Sequence, residues 1–383
     1  MYRVGVDFLQ DGMQVARSIY RSDGRVLLAA GTRLNKRYIK RLHELGIRSV
    51  YVRNDELGPL DPVPDIVSEQ TRLESLQAVR EGFNSLENKR RINMAAIRQT
   101  VDNLIDELLA NSEVLINCSD IRSYDDYTFH HSVNVCILAL MTGITLGYHQ
   151  LRLKELGVGA LLHDVGKIRI DQEIICKPGP LTPEEFEQVK EHARQGFEIL
   201  RTYDEVGLLS AHVAFQHHER WDGRGYPRGL VGRKIHEYAR IVAVADVFDA
   251  LSADRPYRRA CPVHEVVNLI RSMSGTSFDP QYVEALLANV AIFPVGSLVV
   301  LSTGDIGLVV DVDRNAPTRP VVRHLADRNM NPVPKRHEIR LQNLSTVYIS
   351  RALSETETAK VLKRIALKKG PPALEVSQTS SDM

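Results

Sequence analysis

Histidine and aspartate side chains that could bind metal ions are concentrated in one part of the chain. His163 and Asp164 are adjacent in the stretch LLHDVGKI, which places an imidazole beside a carboxylate. Ten of the thirteen histidines lie between positions 130 and 264. Such clustering is typical of a metal site rather than of scattered surface histidines. The other candidate ligands in this region are His131, His192, His217, His218 and Asp246.

These donors indicate a centre for two divalent metal ions. Imidazole suits zinc, iron or manganese, and carboxylates bridge hard divalent ions. The donors lie on separate predicted helices or helix ends, as expected of ligands that converge in a helical bundle. Lys167 follows His163 by four residues, so one helix face would carry both, and its ammonium group could pair with a phosphate. Two metal ions that share a hydroxide suit phosphodiester hydrolysis, because they create a nucleophile near neutral pH and stabilise charge on the phosphoryl oxygens.

The motifs around these residues resemble those of the HD-GYP family, a branch of the HD superfamily of metal-dependent phosphohydrolases. HDVGK, HHERWDGRGYP, ADVFDAL and RPYR occur in the family's order, and the match runs from YTFHHSVNV to DRPYRRA. HDxGK alone would indicate only the HD superfamily, so the combination carries the resemblance. It implies an all-helical fold and hydrolysis of the bacterial second messenger cyclic di-GMP to linear pGpG, to GMP or to both.

The resemblance also implies two groups of metal ligands that share Asp164. The members of the first group are His131, His163, Asp164 and Asp246. The second group adds His192, His217 and His218. Lys167 would hold a phosphate oxygen beside Asp164, and these two residues are the predicted catalytic pair. The histidine and carboxylate set favours iron or manganese, with zinc, nickel and magnesium left open.

Substrate contacts are expected from two further motifs. In RPYR, guanidinium groups can grip a phosphate in a bidentate manner. In the GYP motif, the loop would lie near the mouth of the site. Some relatives place a glutamate four residues before the first histidine to help bind a third metal, but Tyr127 occupies that position here, which favours two metals. The predicted substrate-binding residues are Lys167, Tyr226, Arg255, Tyr257 and Arg258.

Each of these residues also has a structural interpretation. A single buried histidine is usually satisfied by a hydrogen bond in a core, and a lone lysine is often a cation at a helix C-terminus. Seven matching positions in the family's order favour metal binding instead. Asp249 could orient a neighbouring side chain but is not predicted as a ligand, and Trp221 is predicted to anchor its loop. The histidines interpreted as structural or exposed are His130, His149, His212, His236 and His264.

Two other functions compete with cyclic di-GMP hydrolysis. One is a cyclic di-GMP receptor or scaffold with little turnover, although a pure receptor has no need of seven metal donors. The other is a phosphohydrolase of a different cyclic dinucleotide, which only the GYP and RPYR resemblance argues against.

The elements that position these residues suggest a mainly α protein with small modules at both ends. Residues 1–60 are predicted as an α/β module and 61–117 as a linker with a long helix. An all-helical HD-type catalytic domain is expected over 118–292, because apolar residues recur there at helical spacing with almost no strand signal. A small β module should follow over 293–350, and 351–383 should be a partly disordered tail.

Residues 66–117 carry an amphipathic pattern of one long helix or two. Ile97, Val101, Leu104 and Leu108 repeat at helical spacing. Such a helix could pair with its copy in a homodimer or pack on its own domain. The terminal modules could also contact a signalling protein, an inference from their position alone.

The composition excludes several other classes of protein. With 43% hydrophobic and 25% charged residues, the chain is typical of globular proteins. A formal net charge of +1 gives no reason to expect a nucleic acid polymer as partner. No apolar run approaches the roughly 18 residues of a membrane span, and the N-terminus lacks a signal-peptide pattern. The four cysteines form no C-x-x-C pair, which indicates reduced thiols and a cytoplasmic protein.

Overall fold

A computed structural model of the chain describes residues 2–20, 25–47, 49–53, 57, 60, 65–116, 127–177, 179–253, 260–333 and 336–367. None of the helices in these ranges combines the length and the hydropathy that crossing a bilayer requires.

The N-terminal module contains a small antiparallel sheet, a two-stranded hairpin and one helix. Its elements are β1 (Tyr2–Gly5), β2 (Gln14–Val15), β3 (Ile19–Tyr20), β4 (Val26–Leu28), α1 (Lys36–Glu44) and β5 (Ser49–Arg53). The sheet order is β1-β5-β2, and β3 pairs with β4. Helix α1 begins where the Asn35 side chain accepts a hydrogen bond from the Tyr38 amide, and Gly46 adopts a positive φ of 68° just after it ends. This strand and helix content confirms the predicted α/β character.

The helical domain follows and contains the candidate ligands. Its helices are α2 (Glu69–Glu87), α3 (Met94–Ala110), α4 (Tyr127–Thr145), α5 (Gln150–Leu161), α6 (Gln172–Ile175), α7 (Pro183–Leu200), α8 (Leu208–Gln216), α9 (Glu237–Ser252), α10 (Val263–Ser272) and α11 (Pro280–Leu287). Helix α4 is apolar on nearly every face and packs against α2, α3, α5, α9 and α11, so it forms the centre of the domain. The expectation of an all-helical domain between two small strand-containing modules is confirmed.

The amphipathic region before α4 forms two helices rather than one. Helix α2 ends at Glu87, with Asn88 as its C-cap, and Lys89 takes a positive φ of 57°. The Asn93 side chain then caps α3 by accepting a hydrogen bond from the Ala96 amide. Most apolar residues of both helices are buried in the core of the helical domain, although Leu109 of α3 is 46% exposed. These faces are therefore covered within the chain itself, while a homodimer through this region stays a prediction.

The β module is a five-stranded antiparallel sheet followed by a helix. Its elements are β6 (Leu298–Leu301), β7 (Ile306–Asp311), β8 (Val321–Ala326), β9 (Glu338–Arg340), β10 (Ile349–Ala352) and α12 (Glu355–Leu367), with the sheet order β10-β6-β7-β8-β9. The sequence predicts no helix in the tail. Helix α12 forms because Ser354 caps the Glu357 amide and because Val361 and Ile365, four residues apart, share one buried face. Residues 368–383 lie outside the described ranges.

The sheet of the β module lies between two hydrophobic cores. Val299 and Val309 belong to the core of the helical domain, whereas Leu298 and Leu308 belong to the core of the N-terminal module. Helix α12 contributes to the second core. The two ends of the chain, expected as separate modules, thus share one apolar core, and the domain boundaries stay a prediction.

Candidate metal centre

The structure brings all seven predicted donors together from five parts of the helical domain. His131 lies near the start of α4, the pair His163–Asp164 directly follows α5, His192 lies in α7, the pair His217–His218 follows α8, and Asp246 lies in α9. Within two groups, one ligand atom from each residue lies within 4.8 Å of the others. The first group is Asp164, His192, His217 and His218, and the second is His131, His163 and Asp164.

Asp164 is the member common to both groups. Its Oδ1 lies 3.5 Å from Nε2 of His192, and its Oδ2 lies 3.4 Å from Nε2 of His163. Asp246 joins the cluster through its Oδ1, 3.0 Å from Nε2 of His131. A carboxylate with histidines at both oxygens is placed as a bridge between two cations would be.

Backbone carbonyls set the orientation of three imidazoles. Nδ1 of His163 lies 2.8 Å from the Ala160 carbonyl, and Nδ1 of His192 lies 2.5 Å from the Val189 carbonyl. His217 makes the same kind of contact with nearby carbonyls of α8. Because Nδ1 carries the hydrogen in such a bond, Nε2 presents a lone pair to the interior of the cluster.

The cluster contains buried polar atoms that only a further group would satisfy. Among the described residues, Nε2 of His163 and Oδ1 of Asp164 are buried without a hydrogen-bond partner. Nε2 of His192 and Nε2 of His217 lie 3.3 Å apart, so two lone pairs face each other. Separations of this size are those of neighbouring ligands about one cation with bonds of about 2.0–2.2 Å. The donor set therefore fits bound divalent metal ions.

Burial and neighbouring charges give four of the donors, namely three histidines and Asp164, the protonation states that metal binding requires. Burial lowers the pKa of His192, His217 and His218, the last to about 3, so these imidazoles are neutral at pH 7. Burial raises the pKa of Asp164, but the positive charge of Lys167 and contacts with His163 outweigh it and hold this pKa well below its usual value. Neutral imidazole and ionised carboxylate are the forms that bind metals.

His131 is held by a second carboxylate, that of Asp249. Oδ2 of the fully buried Asp249 lies 2.6 Å from Nδ1 of His131. Burial lowers the pKa of His131, but hydrogen bonds to Asp246 and Asp249 outweigh it and raise this pKa to about 10. The contact agrees with the expectation that Asp249 orients a neighbour.

Lys167 is close to the cluster, but the predicted geometry was wrong. Helix α5 ends at Leu161, and Lys167 lies in a 3-10 segment, Val165–Arg169, rather than on a helix face shared with His163. The segment packs closely on α7, where a Cβ at Gly166 would collide with the His192 carbonyl oxygen. Nζ of Lys167 lies 2.5 Å from Oδ2 of Asp164 and remains 30% exposed, which places its charge at the edge of the cluster.

The GYP loop covers the His218 side of the cluster. The Tyr226 ring stacks on the His218 ring with centroids 4.7 Å apart, and the Tyr226–Pro227 peptide bond is cis. A Cβ at Gly225 would collide with the Arg220 amide nitrogen and lie 2.5 Å from the His218 carbonyl oxygen. Gly225 therefore permits the loop to approach the chain segment that follows His218.

Glu219 is a residue that reasoning from the sequence missed. It is 3% exposed, and its two carboxylate oxygens accept hydrogen bonds from the backbone amides of Arg228 and Leu230. It thereby ties the far end of the GYP loop to the histidine pair. Its place directly after the adjacent histidines was the available signal.

Four predicted or discussed side chains fall outside what the structure describes. They are Tyr127, Arg255, Tyr257 and Arg258. Their roles remain predictions from the sequence.

Two family models match the chain over the parts just described. A model of the HD domain matches residues 104–282, which include all seven donors. A model of a KOW domain associated with the HD domain matches residues 298–361, which include β6 to β10.

Curated relatives share the same region. A cyclic di-GMP phosphodiesterase of Pseudomonas aeruginosa is 34% identical over 259 residues, covering 67% of this chain and 62% of the relative. A cyclic di-GMP phosphodiesterase of Thermotoga maritima is 44% identical over 177 residues, covering 46% and 48% of the two chains. A 3'3'-cGAMP-specific phosphodiesterase of Vibrio cholerae is 34% identical over 186 residues, covering 48% and 42%. The chain spans less than two thirds of the length of each.

A solved structure has the same fold over most of this chain. It is an HDG"Y"P protein from Bdellovibrio bacteriovorus, with a TM-score of 0.50 and 20% sequence identity, covering 74% of this chain and 97% of the other. The HD domain match, the similar curated relatives and the order of the HDVGK, HHE and GYP motifs agree with one another: the chain contains an HD domain and is similar to proteins of the HD-GYP family.

Proposed function

We propose that the protein is a metal-dependent phosphodiesterase that hydrolyses cyclic di-GMP to linear pGpG, to GMP or to both. The observation that carries the proposal is the arrangement of seven donors in two groups around Asp164, with unsatisfied buried atoms facing inward. The names of relatives from Pseudomonas aeruginosa and Thermotoga maritima support the choice of substrate.

The proposed centre holds two divalent ions, with iron or manganese favoured. His131, His163, Asp164 and Asp246 would hold one ion, and Asp164, His192, His217 and His218 would hold the other. When bound, the ions supply a nucleophile near neutral pH and neutralise charge on the phosphoryl oxygens. The exposed part of Lys167 allows its ammonium group to contact a phosphate oxygen of the substrate.

Other residues of the chain position the substrate and exclude water. Tyr226 forms a wall of the site over His218. Arg255, Tyr257 and Arg258 are proposed to bind the substrate, with the guanidinium groups at a phosphate, on the resemblance of the RPYR motif. Within the part of the chain that the structure describes, Cys136 and Cys261 form no disulfide, which supports a place in the reducing cytoplasm.

A second substrate class has a specific observation in its favour. Three Vibrio cholerae relatives are named as 3'3'-cGAMP-specific phosphodiesterases, and the one reported above is as similar as the Pseudomonas aeruginosa relative at 34% identity. Hydrolysis of cyclic di-GMP and hydrolysis of 3'3'-cGAMP would use the same metal centre. The two proposed activities differ in the base that the site accepts.

Substrate turnover and metal content test the proposal together. Protein loaded anaerobically with Fe²⁺ or Mn²⁺ is incubated with cyclic di-GMP, 3'3'-cGAMP and cyclic di-AMP, and the products are separated by chromatography. We expect cyclic di-GMP to be cleaved fastest. Binding of cyclic di-GMP without cleavage would identify a receptor, and faster cleavage of another dinucleotide would identify the other phosphodiesterase.

Two substitutions connect the activity to the cluster. His163→Ala and Asp164→Ala should abolish cleavage and reduce bound metal, while circular dichroism shows that the helices remain. His149→Ala is the matched control, because His149 is exposed and makes no capping hydrogen bond. Unchanged turnover in the two cluster variants would refute the site.

A further inference from the structure

The exposed aromatic residue Phe186 lies near the cluster of candidate metal ligands. Phe186 is the fourth residue of α7, lies six residues before His192 and is 43% exposed. Its ring contacts the edge of Tyr226, with centroids 6.3 Å apart and planes at 83°. The ammonium group of Lys190, one helical turn later, lies 4.8 Å from the Phe186 centroid and 5.6 Å from that of Tyr226. These contacts hold the ring in place and leave much of it open.

Three aromatic rings form a continuous path from the cluster to the surface. Tyr226 stacks on His218 at 4.7 Å, and Phe186 follows Tyr226 at 6.3 Å, so the Phe186 ring lies within about 11 Å of the His218 ring. In a nucleotide, one ribose separates phosphate from base. A phosphate seated among the imidazoles therefore brings its base toward this exposed ring.

Base stacking is the chemistry that an exposed ring at this position offers. Every base has a flat π face, and stacking on an aromatic side chain stabilises binding by about 1–3 kcal/mol per base. An aromatic ring offers this contact at low entropic cost when its neighbours already restrict it, as Lys190 and Tyr226 do here. Phenylalanine side chains are usually buried in a hydrophobic core, but Phe186 is not.

We propose that Phe186 is a base-stacking residue of the substrate site, positioned by Lys190 and Tyr226. The inference rests on the proposed function, and it assigns the affinity for the purine base to a residue outside the HD, HHE and GYP motifs. Phe186 acts on substrate binding, and the phosphodiester bond is cleaved at the metal cluster.

Equilibrium binding separates the base from the phosphate. Isothermal titration calorimetry of Mn²⁺-loaded protein measures the affinity for GMP and for ribose 5-phosphate, which lacks the base. Phe186→Ala should weaken GMP binding about 5- to 150-fold, the equivalent of about 1–3 kcal/mol, and leave ribose 5-phosphate binding unchanged. Phe186→Leu should behave like Phe186→Ala, because it restores the apolar volume without the ring, and Phe186→Trp should keep the wild-type affinity.

Controls separate a local effect from damage to the fold. Leu208→Ala removes an apolar side chain that is 60% exposed on α8, and it should change neither affinity. The metal content and melting temperature of each Phe186 variant should match the wild type. Steady-state kinetics with cyclic di-GMP should show a raised KM with kcat little changed, the pattern of lost uniform binding.

Several results would overturn the inference. These are equal affinity of the wild type for GMP and ribose 5-phosphate, unchanged GMP binding in Phe186→Ala, or an equal loss for both ligands. Failure of the proposed function gives a different result. The wild type would then bind GMP more tightly than ribose 5-phosphate through Phe186, yet leave cyclic di-GMP intact.

Discussion

Asp249 decides which nitrogen of His131 faces the metal cluster. Its carboxylate accepts the Nδ1 hydrogen of His131, so Nε2 points toward Asp246, 3.0 Å away. Asp249→Asn keeps the shape of the side chain but weakens this hydrogen bond, so the orientation of the His131 ring is less restricted. We expect metal affinity to fall roughly 10–100-fold, as for other partners of metal-binding histidines.

Titration of the metal-free protein with Mn²⁺ in a calorimeter measures this loss. Asp222→Asn is the matched control, because Asp222 pairs with Arg220 rather than with a cluster histidine. Equal affinities in the two variants would contradict the role given to Asp249.

The buried histidines make the metal-free protein sensitive to acid. Burial lowers the pKa of His192, His217 and His218 below the unfolded value of 6.5. Below pH 6.5 the unfolded chain binds protons that the folded chain does not, so the free energy of unfolding falls as the pH decreases. His131 has a raised pKa, and its contribution is complete below pH 6.5 and lost only as the pH rises toward 10.

Urea unfolding of the metal-free protein from pH 6.5 down to about 5 measures this slope. His218→Gln removes one of the titrating groups and should make the slope shallower. His149→Gln, at an exposed position, should leave it unchanged. A slope that is the same in wild type and His218→Gln would contradict the argument.

The residue types and their order were enough to predict which seven side chains lie together, but not which residues orient them. A histidine next to an aspartate can be recognised in the sequence. The hydrogen-bond partners of the histidine ring nitrogens cannot be recognised in the sequence. The contact of Asp249 with His131, for example, depends on how α9 packs against α4. The same applies to Glu219, whose amide partners lie nine and eleven residues further along the chain.

At the level of elements, two motif glycines allow chain segments to approach each other. Gly166 of HDVGK lies against the backbone of α7, and Gly225 of GRGYP lies against the segment after His218. The prediction of an all-helical domain from apolar periodicity was correct, and α7 is one of its helices, with a side-chain cap from Thr182 and Pro183 at its first position. The prediction placed Lys167 on one helix with His163, because periodicity does not show that α5 ends at Leu161 and that a 3-10 segment packed on α7 follows.

Gly166→Ala tests the role of this close approach. The added methyl group would collide with the His192 carbonyl and lie 2.5 Å from the Gly196 amide nitrogen, so α7 must shift and take His192 with it. We expect a loss of about 1–3 kcal/mol or more in the free energy of unfolding, together with weaker metal binding. Urea unfolding and metal titration measure the two effects.

Gly207→Ala is the matched control for Gly166→Ala. Its added methyl group would have no atom nearer than 3.7 Å outside its chain neighbours. Wild-type stability and metal affinity in Gly166→Ala would show that α7 does not depend on this contact.

At the level of the whole molecule, the sheet of the β module connects two cores. One face carries Val299 and Val309 into the helical core, and the other carries Leu298 and Leu308 into the core shared with the N-terminal module. Strand alternation predicts a sheet with one apolar face. It does not predict that both faces are covered or that the two ends of the chain meet, because nothing local encodes a contact across 300 residues of sequence.

Helix α12 completes the shared core and is the place to test this arrangement. Ile365 is 2% exposed and belongs to the core that contains Tyr2 and Val4, and α12 packs against β1. Ile365→Ala should cost about 2–5 kcal/mol of local stability. Hydrogen exchange should therefore quicken at the amides of β1 and β5 while α4 and α9 keep their protection.

The exposed Lys363 of the same helix provides the control, since Lys363→Ala should change neither exchange nor metal content. If Ile365→Ala instead quickened exchange equally in α4 and α9, the two cores would unfold as one unit. The sheet would then transmit the loss of packing from the ends of the chain to the helices that hold His131 and Asp246. Protection that changes only in β1 and β5 would show that the metal cluster and the shared terminal core are stabilised separately.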